Sequence, residues 1–345
     1  MYLTISRVLR RKNRVVSALV VALAVMLASA CGGDNADPSL LGPVEVPLTS
    51  SVPDAPGTLV WSSGNTIQSL DPATGKRMTV ATLPENRYFA SPALSPDGRA
   101  IAAATFQVMP PEPGADLYVI SRDGSEVKPL VKFQDAGGSL GYPSWSPDGA
   151  FIYAIVNASA SPEGGWIVRV PAGGGPVEKL VKGGNYPTIS PDGKTLVFTK
   201  TDVAAQTGEL WRANPDGTDA KLIPGTRFVG VLRPVFSPDG ATIGFSANAD
   251  PLQPTASSHR LPLFGPAVAL AHGVPWDAWT VSLNGGTPVR RSSIREDQPV
   301  LAWSPDGKWL GMNGEVGLYL IRLSDGKVYR VSDRVGTGLI WLESS

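Results

Sequence analysis

Pro143-Ser144-Trp145-Ser146-Pro147-Asp148-Gly149-Ala150-Phe151-Ile152-Tyr153-Ala154-Ile155-Val156 is the stretch that decides the fold. A short apolar run ends at Trp145, Ser146-Pro147-Asp148-Gly149 turns the chain, and a second apolar run returns from Phe151. Proline fixes φ at the first central position of such a turn, Asp suits the second, and Gly takes the positive φ that closes it. Further on, Trp166–Val170 reads as a third strand, Gly173-Gly174-Gly175 as a second turn, and Val177–Val181 as a fourth strand. Four short antiparallel strands joined by hairpins make one unit.

The same Ser-Pro-Asp-Gly turn recurs at 95–98, 190–193, 237–240 and 304–307, each after a hydrophobic residue (Leu94, Ile189, Phe236, Trp303). The Asp residues of the five motifs are spaced by 51, 44, 47 and 67 residues. Second-hairpin turns fall where the unit needs them, at Asp123-Gly124, Asp216-Gly217, Asn284-Gly285-Gly286 and Asp325-Gly326. A repeat of this length with four strands predicts a β-propeller. Residues 57–82 supply three further strands but lack an inner one, and Gly338-Leu339-Ile340-Trp341-Leu342 is a spare strand at the other end. The fold class is therefore all-β. We expect a six-bladed propeller of four-stranded antiparallel blades over 57–345, closed by the C-terminal strand pairing with the N-terminal blade, which removes an exposed edge.

The motif, followed by an apolar strand and a second turn with Asp-Gly, resembles the repeat of TolB and related WD40-like proteins. It also resembles the propellers of prolyl-oligopeptidase-type enzymes. The resemblance covers roughly residues 57–343 and implies a fold rather than an activity, because propellers host many unrelated functions. TolB also carries an N-terminal α/β domain, so the likeness is to its propeller alone.

The chain has 345 residues, 38 Gly and 32 Pro, and a formal net charge of zero. That balance conceals an asymmetry. Residues 1–30 hold Arg7, Arg10, Arg11, Lys12 and Arg14 and no acid. The remainder carries 25 basic and 30 acidic residues, which argues against nucleic acid as a partner. The basic segment leads into an apolar stretch, Val15–Ala28, too short to span a bilayer and laid out as a secretory signal. It ends in Leu27-Ala28-Ser29-Ala30-Cys31, similar to the cleavage box of bacterial lipoproteins, in which the Cys becomes the lipidated first residue. Cys31 is the single cysteine. Expected organisation is a signal peptide over 1–30, a flexible Gly-, Asp-, Pro- and Ser-rich tether over 31–56, and the propeller beyond.

Gly137-Gly138-Ser139-Leu140-Gly141 has the spacing of a hydrolase nucleophile elbow but lacks the strand-turn-helix setting that chemistry needs. Gly193-Lys194-Thr195 echoes a phosphate loop inside a hairpin. The two histidines, His259 and His272, lie in the longest insertion, Ala249–Pro275 of blade five. Their spacing matches no metal motif. Long loops in compact repeats are commonly functional. His259, Phe264, His272, Trp276 and Trp279 are therefore candidates for a partner surface. Aligning the repeats also places Ser91, Tyr142, Tyr186, Arg233, Val300 and Gly338 just ahead of the inner strands. Blade six departs from this alignment, because its Gln298-Pro299 is shifted by two. Tyr142, Tyr186 and Arg233, with Arg87 and Tyr88 nearby, would line one channel mouth, and aromatic and Arg side chains favour binding surfaces. Glu296, Asp297 and Glu315 escape the turns but form no regular inward carboxylate set. We expect no cofactor and no metal.

These features point to a monomeric, membrane-anchored lipoprotein of the periplasm or cell surface. Its propeller would bind an envelope protein or peptide without catalysis. An enzyme or ligand sensor with a small-molecule or glycan site in the channel is the alternative, and an accessory subunit of a membrane complex a third reading.

Overall fold

The computed structural model describes residues 45–82, 87–107, 114–157, 165–202, 205, 207–248, 251, 276–333 and 336–343. Six four-stranded antiparallel sheets make a six-bladed propeller. The inner strands, in blade order, are Thr337–Leu342, Arg87–Leu94, Ser139–Trp145, Gly184–Ile189, Gly230–Phe236 and Val300–Trp303. Blade one joins both ends of the described chain. Its inner strand Thr337–Leu342 pairs with Thr58–Ser63 and continues through Thr66–Leu70 to Arg77–Thr82. Trp341 and Leu342 face Leu59 and Thr58 in this closure.

The core is divided into six apolar layers, one between each pair of neighbouring blades. Strand alternation explains this. One face of each sheet packs against the blade before it and the other against the blade after, so the middle strands bury nearly every residue. Phe151–Asn157, Thr242–Asn248 and Trp309–Asn313 show it directly. The layer between blades one and six includes Trp61, Leu339 and Trp341 from blade one, and Trp309, Leu318 and Leu320 from blade six.

The five motif turns share one geometry. The Ser hydroxyl donates to the Asp carboxylate at 2.5–2.6 Å. The same carboxylate accepts a backbone N–H two residues on, at 3.0–3.1 Å. The Ser oxygen accepts an N–H five residues on, and the Gly sits at φ between 69° and 72°. The Ser hydroxyl, and then the backbone N–H, hold the carboxyls of Asp97, Asp148, Asp192 and Asp239 below their ordinary value. The motif is thus a self-contained turn whose polar groups satisfy one another. In two blades the residue before it also ties neighbours together. The indoles of Trp145 and Trp303 donate to the carbonyls of Ala93 and Val235 in the preceding blade.

Residues 45–56 carry tether-like composition, yet they lie against the propeller. Thr49 donates to the Arg330 carbonyl at 2.7 Å, and Val52 and Ala55 are buried in the layer between blades one and six. Ser139 begins an inner strand, outside any strand-turn-helix elbow, and its oxygen accepts the Ala115 N–H.

Candidate functional site

The inner strands are not regular. In blades two to five the register slips at Ala90/Ala93, Gly141/Ser144, Asn185/Thr188 and Leu232/Val235. Each slip is a bulge, and within each lies a residue in the left-handed region: Ser91, Tyr142, Tyr186 and Arg233, at φ between 50° and 52°. Blade six has Gln298 at φ 40° and blade one has Gly338 at φ 73°. The result is a six-membered ring of left-handed residues, one per blade. The five that are not glycine each precede a proline (Pro92, Pro143, Pro187, Pro234, Pro299). This corrects one expectation: in blades one to five the left-handed residue sits within the inner strand rather than ahead of it. In blade six Val300 lines the cavity with the other aligned residues, while the left-handed residue falls two positions earlier, at Gln298. The displaced X-Pro pair carried that signal in the sequence.

The ring is uneven. Gly338 and Ser91 leave one side open. On the other, the rings of Tyr142 and Tyr186 meet edge to face with centroids 4.5 Å apart. The Arg233 guanidinium lies 5.4 Å from the Tyr142 ring and 6.0 Å from that of Tyr186, within cation–π reach. Its Nη1 donates to the Gln298 carbonyl at 2.7 Å, which fixes the side chain across the blade boundary. Burial pushes the Tyr186 hydroxyl well above its ordinary value, with the neighbouring Tyr142 as the next contribution, so it remains a neutral phenol.

These three side chains form the floor of a cavity of about 750 Å³. All six inner strands line it, from the left-handed residues to the motif turns, and Pro96, Pro191 and Pro238 at its rim are exposed. It therefore opens on the Ser-Pro-Asp-Gly face. Its volume lies in the range of small-molecule sites. The walls are mostly apolar, with Ala93, Val235, Ala302 and Ile340 among them, and Ser144 and Thr188 as polar groups.

Tyr88 does not join this cluster. Arg87 and Tyr88 begin their inner strand at its opposite end, where Tyr88 is exposed across from Phe106. The blade-five insertion also leaves from that opposite end: Gly230, Asn248 and Trp276 are in register across three strands. The cavity therefore opens at one end of the channel and the strands flanking the insertion meet it at the other. Trp276 is buried and approaches Gly230 so closely that a Cβ there would lie 2.6 Å from its ring. Trp279 is buried in the layer between blades four and five, against Phe228. Both are core residues. His259, Phe264 and His272 lie outside the described residues, as does Cys31. Among the described residues, no three His, Cys, Asp or Glu side chains converge as a metal site.

Sequence reasoning missed one polar centre. Glu296 is 0% exposed. Its Oε1 accepts the Tyr319 hydroxyl at 2.7 Å, and its Oε2 accepts the N–H groups of Glu315 and Val316 at 2.9 and 3.0 Å. Burial, and then this carboxylate, push the Tyr319 hydroxyl above its ordinary value. Gly314 makes room, since a Cβ there would fall 2.4 Å from the Glu296 side chain. The unit braces blade six and does not face the cavity.

Comparison with known proteins agrees with this architecture. The chain superposes on TolB from Acinetobacter baumannii with a TM-score of 0.61 and 17% identity, covering 84% of this chain and 67% of that one. The fold is a TolB-like β-propeller. The same propeller superposes on a chain of a nidogen/laminin complex with a TM-score of 0.63 and 11% identity, over 84% of this chain and 100% of that one. Residues 57–182 match the family model of the lipoprotein LpqB β-propeller domain. A Bacillus subtilis protein described as the uncharacterized peptidase YuxL is 28% identical over 187 residues. The alignment takes in 49% of this chain and only 28% of that relative. The spread of names over one architecture locates function in the site rather than in the fold.

Proposed function

We propose that this chain is an exported lipoprotein, anchored through Cys31, whose propeller is a non-catalytic module binding an envelope protein or peptide. The observation that carries the binding role is the channel cavity floored by Tyr142, Tyr186 and Arg233. Rigid aromatic and Arg side chains give contact area at little entropic cost, and the bulges hold them in place before any partner arrives. The match to a lipoprotein propeller model supports the anchoring, together with the basic and apolar leader before Cys31.

Fractionation and capture test both halves. Wild-type protein should sediment with membranes and incorporate radiolabelled fatty acid, whereas Cys31→Ser should do neither. After crosslinking in intact envelopes, the wild type should retain a discrete partner. A variant with residues 252–274 replaced by a short Gly/Ser linker should retain it too, because the cavity opens on the opposite face. Loss of the partner with that variant would move the site to the insertion. Membrane association unchanged in Cys31→Ser would remove the anchor.

A further inference from the structure

The floor of the cavity has a charge without a counter-charge. The charged residues lining the cavity are Asp97, Arg122 and Glu343 at the rim and Arg233 at the floor. Among the described residues, Arg233 forms no ion pair; its guanidinium is held by one carbonyl and two phenol rings. Its Nε is buried and has no hydrogen-bond partner. A guanidinium presents five donors in a planar fork suited to a carboxylate, and among the described residues only Nη1 is engaged.

The backbone supports the same reading. Left-handed φ at a residue other than Gly costs of order 1–3 kcal/mol, and Gly338 shows that this ring accepts glycine. Tyr142, Tyr186 and Arg233 keep large side chains at strained positions where a glycine would relieve the backbone. Strain of that kind persists where the surrounding structure holds it, and it clusters at ligand sites.

We propose that Arg233, flanked by Tyr142 and Tyr186, binds a carboxylate whose apolar body fills the channel cavity from the Ser-Pro-Asp-Gly face. The inference rests on the cavity being the binding site and adds the chemistry of what enters it. The carboxylate accepts from the guanidinium Nη2 and from a phenol hydroxyl, while the body lies against Ala93, Val235, Ala302 and Ile340. A free organic acid and the C-terminus of a peptide both offer this group.

The test uses the full chain and two pairs of probes: phenylacetate against phenylacetamide, and the tripeptide Ala-Val-Phe against its C-terminal amide. Binding is followed by the ring NMR signals of Tyr142 and Tyr186, with titration calorimetry alongside. At least one acid should bind saturably and about tenfold or more tighter than its amide, a gap of about 1.4 kcal/mol. The acid that binds tighter names the source. Arg233→Gly relieves the left-handed strain, so it should keep the melting temperature within a few degrees while abolishing the preference for acid. Arg233→Lys keeps the charge but not the fork and should retain only part of it. Equal binding of acid and amide, a preference that survives Arg233→Gly, or no saturable binding by either acid would overturn the proposal. If those results come with a partner still crosslinked from the channel, the carboxylate assignment falls while the cavity remains a binding site.

Discussion

Deleting residues 333–345 should abolish the cooperative folding of the propeller. This removes the inner strand of blade one, and with it Leu339, Trp341 and Leu342 from the layers against blades six and two. Burying one such side chain contributes about 1.5–3 kcal/mol. Three of them together approach the whole stability of an ordinary domain, about 5–15 kcal/mol. The loss goes beyond area. Ser62 would lose its hydrogen bonds to Thr337, and the Asn313 amide its two carbonyl partners at Gly336 and Gly338. Thr58–Ser63 would become an unpaired edge, which recruits other chains. Circular dichroism should show a broad, early melt, and gel filtration should show oligomers. A synthetic peptide of residues 333–345 should restore much of the transition. A truncated protein that stays monomeric and melts within a few degrees of wild type would mean that the ring does not depend on its closure.

Glu296→Ala should be the most destabilising single substitution outside the apolar layers, at about 3 kcal/mol. It strands the buried Tyr319 hydroxyl, frees the N–H groups of Glu315 and Val316, and leaves a void beside Gly314. For a domain of this size that corresponds to a fall in Tm of roughly 5 °C. Glu296→Gln keeps an acceptor for the two N–H groups and should lose much less. Tyr319→Phe removes one partner and should fall between the two. Scanning calorimetry of the three variants checks the order. An alanine variant as stable as wild type would show that Glu296 carries no structural load.

The sequence made the repeat legible because its turns are local. Ser-Pro-Asp-Gly closes its own hydrogen bonds within six residues, so it reads the same in every blade. The closure of the ring was legible from a missing strand at one end and a spare one at the other. Two features were harder. The alignment found the positions of Tyr142, Tyr186 and Arg233, but not that a bulge turns them into the middle of the channel, because register depends on the partner strand. That placement puts the cavity on the turn face, while the strand ends Asn248 and Trp276 that flank the blade-five insertion lie at the other end. Glu296 could not be read at all. Its partners lie 19 to 23 residues away and include backbone groups, which leave no trace in side-chain identity.

The Trp residues show the same limit. Trp276 and Trp279 follow a proline-rich insertion and suit a recognition surface as well as a core. Strand pairing decides between them: both lie in a middle strand with sheet on either side, where seven-residue runs are buried almost throughout.

The most direct test of the account is photo-crosslinking from inside the channel in intact envelopes. A photoreactive residue is placed at Thr188 or Ser144 in the cavity wall, with Leu222, exposed on the outer strand of blade four, as control. The account predicts a discrete adduct from both channel positions, weakened by Arg233→Gly, and none from Leu222. Adducts from Leu222 alone, or no adduct from either channel position, would contradict it.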